Sequence, residues 1–120
     1  MVYTKSNEII ISMSTIPSRI SVIEPVIKSL INQTLKPDYI YINVPKKYKR
    51  FTEKIKKPSF LEKKEYINVR LFHMENDYGP ASKFIGTLEN PNVDNEAFVC
   101  ITDDDVIKHE DWLKTLYNKF

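Results

Sequence analysis

With only one cysteine, the 120-residue chain has no partner for an internal disulfide and no thiolate cluster to hold a metal. Cys100 sits inside an apolar run and reads as a small buried residue, so the expected compartment is reducing and cytoplasmic. No apolar run approaches the roughly 20 residues of a membrane helix, and the polar stretch from Met1 to Glu8 has no signal-peptide core. Repeats, low-complexity tracts, heptads, zinc-finger spacings and aromatic-interleaved RNA motifs are all missing, which argues against nucleic acid as a partner. What remains is a soluble globular composition, 42% hydrophobic and 28% charged, of a length that fits one domain.

Charge is unevenly spread. Residues 1–74 carry 14 Lys/Arg against 6 Asp/Glu, whereas residues 75–120 carry 4 against 10. Half of the basic residues lie between Lys46 and Lys64. Such a run is ordinarily a solvated loop or helix face, and the other reading is a patch for phosphate, anionic lipid or nucleic acid.

The hydrophobic pattern alternates between strand and helix. Glu8–Ser14 and Tyr39–Val44 are β-branched or aromatic runs that predict strands, and Ile67–Phe72 predicts a shorter third. Ile20, Ile23, Ile27, Leu30 and Ile31 recur at helical spacing, and Pro25 suits only a first turn, which predicts a helix over Ile23–Gln33. The basic stretch broken by Pro58 reads as a loop with a short helix around Lys47–Ile55. Gly79 permits a left-handed turn, and Pro80 suits the start of a helix through Leu88. A last helix places Glu110 and Asp111 in its first turn and Trp112, Leu113, Leu116, Tyr117 and Phe120 on its inward face.

Ala97–Ile101 has no polar break and reads as a central strand buried on both faces, ending at Asp103-Asp104-Asp105. Three adjacent carboxylates repel, so the fold must solvate them, cap a helix near His109 with one, or bind a cation. A hard ion, Mg²⁺ or Mn²⁺, takes a few carboxylate oxygens and leaves positions open for phosphate. The alternation predicts an α/β, Rossmann-like fold: a mostly parallel sheet of about four strands, right-handed crossovers and helices on both faces. Thr15–Arg19, Asn43, Asp77–Lys83 and Asp103–Asp105 all follow strand carboxyl ends, where ligands gather in open α/β sheets.

Four stretches then carry a resemblance: Ser14-Thr15-Ile16-Pro17-Ser18-Arg19, Ser29 to Pro37, Asp77-Tyr78-Gly79-Pro80-Ala81-Ser82-Lys83, and Asp103-Asp104-Asp105 with Asp111-Trp112-Leu113. In this order, over roughly residues 8–120, the chain resembles the nucleotide-sugar-binding half of a GT-A-fold glycosyltransferase of the family 2-like group. The resemblance implies a hexosyl transferase that binds a nucleotide sugar, UDP-linked, through Mn²⁺ or Mg²⁺ held by an aspartate (DXD) motif. It implies Asp104 and Asp105 as metal ligands. Thr15, Ile16 and Pro17 would lie along the nucleoside with Arg19 nearby, and Asp77, Lys83 and Asp103 would be further substrate contacts. The acceptor, a glycan, protein or lipid, is left open. Two departures accompany it. Val44-Pro45 stands where the family commonly has an acidic base reader, and the acceptor-binding half with its catalytic base has no counterpart here. No residue is assigned as the base, and Glu110 and Asp111 read as helix caps. A half-domain would leave a sheet edge uncovered, which implies a homo-oligomer or a partner chain. A non-catalytic nucleotide- or metal-binding module or a truncated, inactive glycosyltransferase homologue is the alternative, as are a basic nucleic-acid binder and a phosphotransferase or phosphatase of the HAD or receiver type. The last places its aspartate after the first strand, where Ser14-Thr15 stand here.

Overall fold

A computed structural model describes residues 8–119. The elements run β1 (Ile9–Ser14), α1 (Glu24–Ile31), β2 (Tyr39–Pro45), two single 3₁₀ turns (Ser59–Glu62 and Lys64–Tyr66), β3 (Val69–Met74), a 3₁₀ turn (Gly79–Ala81), α2 (Ser82–Glu89), β4 (Phe98–Ile101) and α3 (Trp112–Tyr117). The four strands form one all-parallel sheet in the order β3-β2-β1-β4, an α/β Rossmann-like arrangement. The chain moves outward from β1 to β3 and then crosses back to lay β4 on the other side of β1. The order therefore reverses between β1 and β4, which makes that gap the topological switch point.

Strand alternation divides the sheet into two unlike faces. Ile9, Ile11 and Met13 of β1 join Ile40, Ile42 and Val44 of β2 in an apolar cluster with Val26, Ile27 and Leu30 of α1. Tyr48, Ile55, Phe60, Leu61 and Tyr66 extend that cluster, so the basic segment is anchored by its few apolar residues. Tyr66 Oη and Lys63 Nζ both donate to Glu24 Oε2 at 2.9 Å and tie the 3₁₀ turns to the start of α1. On the opposite face lie Ser12 and Asn43. Asn43 Nδ2 donates to Ser12 Oγ (2.9 Å) and to the Ser82 carbonyl (3.2 Å), and Ser12 Oγ donates to the Lys83 carbonyl (2.7 Å). Thr87 Oγ1 also donates to Ser12 Oγ. This buried network fastens α2 to the sheet. Gly86 is what lets α2 come so close, because a Cβ there would stand 2.4 Å from Asn43 Cγ.

Several expectations are corrected. β4 is at the edge of the sheet, not its centre: only β1 pairs with it among the described residues. Cys100 is buried toward the α1 face, whereas Ile101 is 38% exposed on the other face, where α2 packs mainly on β1 and β2. An unbroken apolar run thus arises here without burial on both sides. The Lys47–Ile55 segment is irregular, and the only helical turns of that crossover lie later, at Ser59–Glu62 and Lys64–Tyr66. β3 begins two residues beyond the expected start, since Ile67 closes a 3₁₀ turn and is exposed. β2 ends at Pro45, one residue beyond the expected Val44.

Glu110 and Asp111 precede α3 and do not cap it with their side chains. The buried Gln33 does that: its Oε1 accepts from Leu113 N (2.9 Å), while its Nε2 donates to the carbonyls of Ser29 (3.0 Å) and His109 (2.7 Å). The Asp111 carboxylate instead accepts from Thr34 Oγ1 at 2.7 Å. Leu113 is the buried residue of α3, with Trp112 and Leu116 half-buried and Tyr117 edge-on to Phe98. Phe120 lies outside the described residues. No described helix is long and apolar enough to cross a membrane.

Candidate functional site

The carboxyl ends of all four strands open onto one crevice. Ser14, Thr15, Ile16 and Arg19 enter it from the exit of β1, and Asn43 and Pro45 from β2. Asp77, Gly79, Ser82 and Lys83 come from the turn after β3 and the start of α2, and Asp103 and Asp104 from the exit of β4. Its enclosed volume is about 120 Å³, room for a phosphate-sized group, and the mouth is open to solvent. A whole sugar nucleotide needs several times that enclosure, so it would extend into the mouth.

Asp104 is the centre of the polar wiring. Its side chain is 5% exposed, and its Oδ2 accepts from Thr15 Oγ1 at 2.7 Å and from Arg19 Nε at 2.9 Å. Those contacts cross from the exit of β4 to the exit of β1, directly over the switch point. Arg19 reaches it because Ile16 starts a tight turn, its carbonyl accepting from the amides of Arg19 and Ile20. Asp103 is exposed and pairs with Lys83 Nζ at 2.5 Å, a contact that holds its carboxyl below the ordinary carboxylate range. Lys83 is the second residue of α2, whose N-terminus carries no side-chain cap and faces the crevice.

Asp77 has a different task. Although burial pushes its carboxyl up, the amides of Lys49 (2.9 Å) and Gly79 (2.8 Å) outweigh that and hold it low. It clamps the basic loop after β2 onto the turn after β3, where Gly79 takes a φ of +61°. Tyr48 Oη donates to the Thr15 carbonyl at 2.8 Å, with burial the main cause of a phenol pushed well above its usual range.

The structure thus brings Thr15, Ile16, Arg19, Asp77, Lys83, Asp103 and Asp104 together on one crevice. Pro17 and Asp105 are not part of its lining, and Asp105 is exposed. Tyr48 and Arg50 line it without having been singled out by the sequence. The signal for Tyr48 and Arg50 was positional: both follow the carboxyl end of β2 within a few residues. Arg50 packs over the Phe51 ring at 5.3 Å and has no carboxylate within ion-pairing distance among the described residues.

Among the described residues no three or more His, Cys, Asp or Glu side chains gather for a metal ion. Mg²⁺ and Mn²⁺ do not require such a cage, since one or two carboxylates serve when waters and phosphate oxygens complete the shell. Asp103 and Asp104, adjacent in sequence, both line the crevice and are the carboxylates that could serve in that way.

No protein-family model matches this chain, and no curated protein matches it.

Proposed function

We propose that the crevice binds the diphosphate of a nucleotide sugar, UDP-linked as the resemblance implies, and that the chain belongs to a glycosyl-transfer system whose acceptor is unassigned. The observation that carries this reading is the Thr15–Asp104–Arg19 cluster lying across the switch point, with Lys83–Asp103 beside it. A diphosphate needs cationic and backbone donors near a carboxylate pair that can share a divalent ion, and this crevice offers Arg19, Lys83 and Arg50 around Asp103 and Asp104. Asp103 and Asp104 would hold Mn²⁺ or Mg²⁺, which when bound supplies Lewis-acid stabilisation of a departing nucleoside diphosphate. Thr15 and Ile16 form the wall on which the nucleoside would rest, and Lys83 at the start of α2 would orient phosphate oxygens.

The binding-module reading has its own support. Each carboxylate lining the crevice is already engaged: Asp77 by two amides, Asp103 by Lys83 and Asp104 by Thr15 and Arg19. None is left as a general base, so transfer needs a base from elsewhere.

Calorimetric titration of UDP with and without Mn²⁺, on wild type and Asp103→Ala/Asp104→Asn, tests the site. Metal-dependent binding in wild type that weakens at least about tenfold in the double variant is expected. Absence of UDP binding at every metal concentration overturns the nucleotide reading. Release of sugar from a UDP-hexose would then separate transfer from binding alone.

A further inference from the structure

At the β3 end of the sheet the backbone has unused hydrogen-bonding groups. β3 pairs with β2 alone among the described residues. Ile40 N donates to the Asn68 carbonyl at 3.0 Å and Lys46 N to the Met74 carbonyl at 2.8 Å. A parallel ladder gives alternate residues to one neighbour, so Arg70 and Phe72 also face β2, and Val69, Leu71 and His73 turn their N–H and C=O outward. Val69 is buried, whereas Leu71 is half-buried and His73 exposed. The last two therefore keep an edge that another strand can reach.

Beside that edge runs a groove of about 630 Å³ that shares no residue with the crevice. Its apolar wall is Leu61, Tyr66, Ile67 and Leu71, with Ile67 72% exposed. Its charged residues are Lys57, Lys63, Lys64 and Arg70 against Glu62 alone. Lys57 pairs with Glu62 and Lys63 with Glu24, but Lys64 and Arg70 have no carboxylate within ion-pairing distance among the described residues. Leu71 packs against the apolar cluster of the α1 face, while Arg70 lies over the Tyr39 ring at 4.7 Å on the other.

These features select the occupant. Outward N–H and C=O groups ask for a ligand that both accepts and donates at strand spacing, which an extended peptide does. A nucleic-acid backbone offers acceptors only, and leaves the two carbonyls unmet. A second copy meeting through the same edge would set each cationic rim against its like. We propose that the edge of β3 receives an extended acidic segment of another protein as a further strand. Its main chain bonds Leu71 and His73, its apolar side chains lie on the Leu61–Tyr66–Ile67 wall, and its alternate carboxylates fall on the face of Arg70, with Lys64 at the rim. The proposal stands on the sheet edge and is independent of the nucleotide reading.

The probe is a blocked, dye-labelled peptide of alternating Glu and Val, about six residues long, titrated into the full chain by fluorescence anisotropy. A Lys–Val peptide and single-stranded oligothymidylate serve as comparators. The Glu–Val peptide is expected to bind at least about fivefold tighter than the Lys–Val one. In wild type its addition should slow amide hydrogen exchange at Leu71 and His73, with little change at Arg70 and Phe72, which already bond to β2. His73→Pro removes an outward N–H and no bond to β2, so it should weaken the peptide at least about threefold. Arg70→Gln should weaken it by a similar factor, about threefold. Circular dichroism checks that both variants are folded. No binding of the Glu–Val peptide, or binding without slowed exchange at Leu71 and His73, overturns the proposal, as does wild-type affinity in a folded His73→Pro. Tighter binding of oligothymidylate, or self-association in sedimentation velocity that His73→Pro abolishes, overturns it in favour of nucleic acid or a second copy.

Discussion

The two faces of the sheet are held by different physics. Toward α1, β1 and β2 present Ile9, Ile11, Met13, Ile40, Ile42 and Val44, and the helix answers with Val26, Ile27 and Leu30. Apolar packing of this kind is strong but tolerant of small displacements, because it depends on area more than on direction. Toward α2 the same strands present Ser12 and Asn43, and the helix answers with carbonyls, Thr87 and the bare backbone of Gly86. Hydrogen bonds add less net stability than a comparable apolar face but fix distance and angle. The face that carries Lys83 into the crevice is the one built for position, and the other supplies most of the stability.

That contrast can be broken most forcefully on the apolar side. Leu30→Ala, at a fully buried position, should cost about 2–5 kcal/mol in chemical denaturation. The variant that remains folded should keep the crevice contacts, read out as unchanged NMR shifts of Thr15, Lys83 and Asp104 at a temperature well below its melting point.

The polar side should respond in the opposite proportion. Gly86→Ala drives a Cβ against Asn43, and a stability loss of about 1–3 kcal/mol is expected together with displacement of α2. Adding Asn43→Ala removes Cγ and Nδ2, two of the three atoms that the new methyl group meets, so the double variant should recover part of the loss. Strictly additive costs would show that the close approach of α2 does not depend on this pair.

The smallest expected effect sharpens the comparison at the rim of the crevice. Asp77 has a carboxyl held below its ordinary value of 3.8, so its folded form favours the ionised group. Its contribution to stability is therefore present above the unfolded value and is lost as pH falls through the lower folded one. Thermal melts of wild type and Asp77→Asn should differ near neutrality and converge in acid below the usual carboxylate range. A gap that persists there would mean that the clamp does not act through the ionised carboxylate.

How much of this was readable in advance depended on whether the cause was local. β1 and β2 follow from β-branched runs, α1 from helical spacing with Pro25 in its first turn, and the left-handed turn from Gly79. The convergence of Thr15, Arg19, Lys83, Asp103 and Asp104 followed from their places after strands, because parallel topology brings all carboxyl ends to one side. The rest lay in long-range pairings. An apolar run such as Phe98–Ile101 looks the same whether a further strand flanks it or not, so the edge position of β4 was hidden. Nothing near α3 announces that its cap is Gln33, 80 residues before the amide that it receives. The tie from the Lys49 amide to Asp77 was hidden as well, since no spacing rule connects the two.

The order β3-β2-β1-β4 also bears on how the chain is made. Of the four described strands β1 is synthesised before the others, and β2 can cover one of its edges soon afterwards. The other edge, Ile9 to Ser12, has to wait for Phe98–Ile101 before its amides and carbonyls find partners. Throughout that interval the nascent chain carries an isoleucine-rich strand with one open edge, the kind of surface on which unfinished chains associate. Until β4 is made, association through this edge of β1 competes with its native pairing.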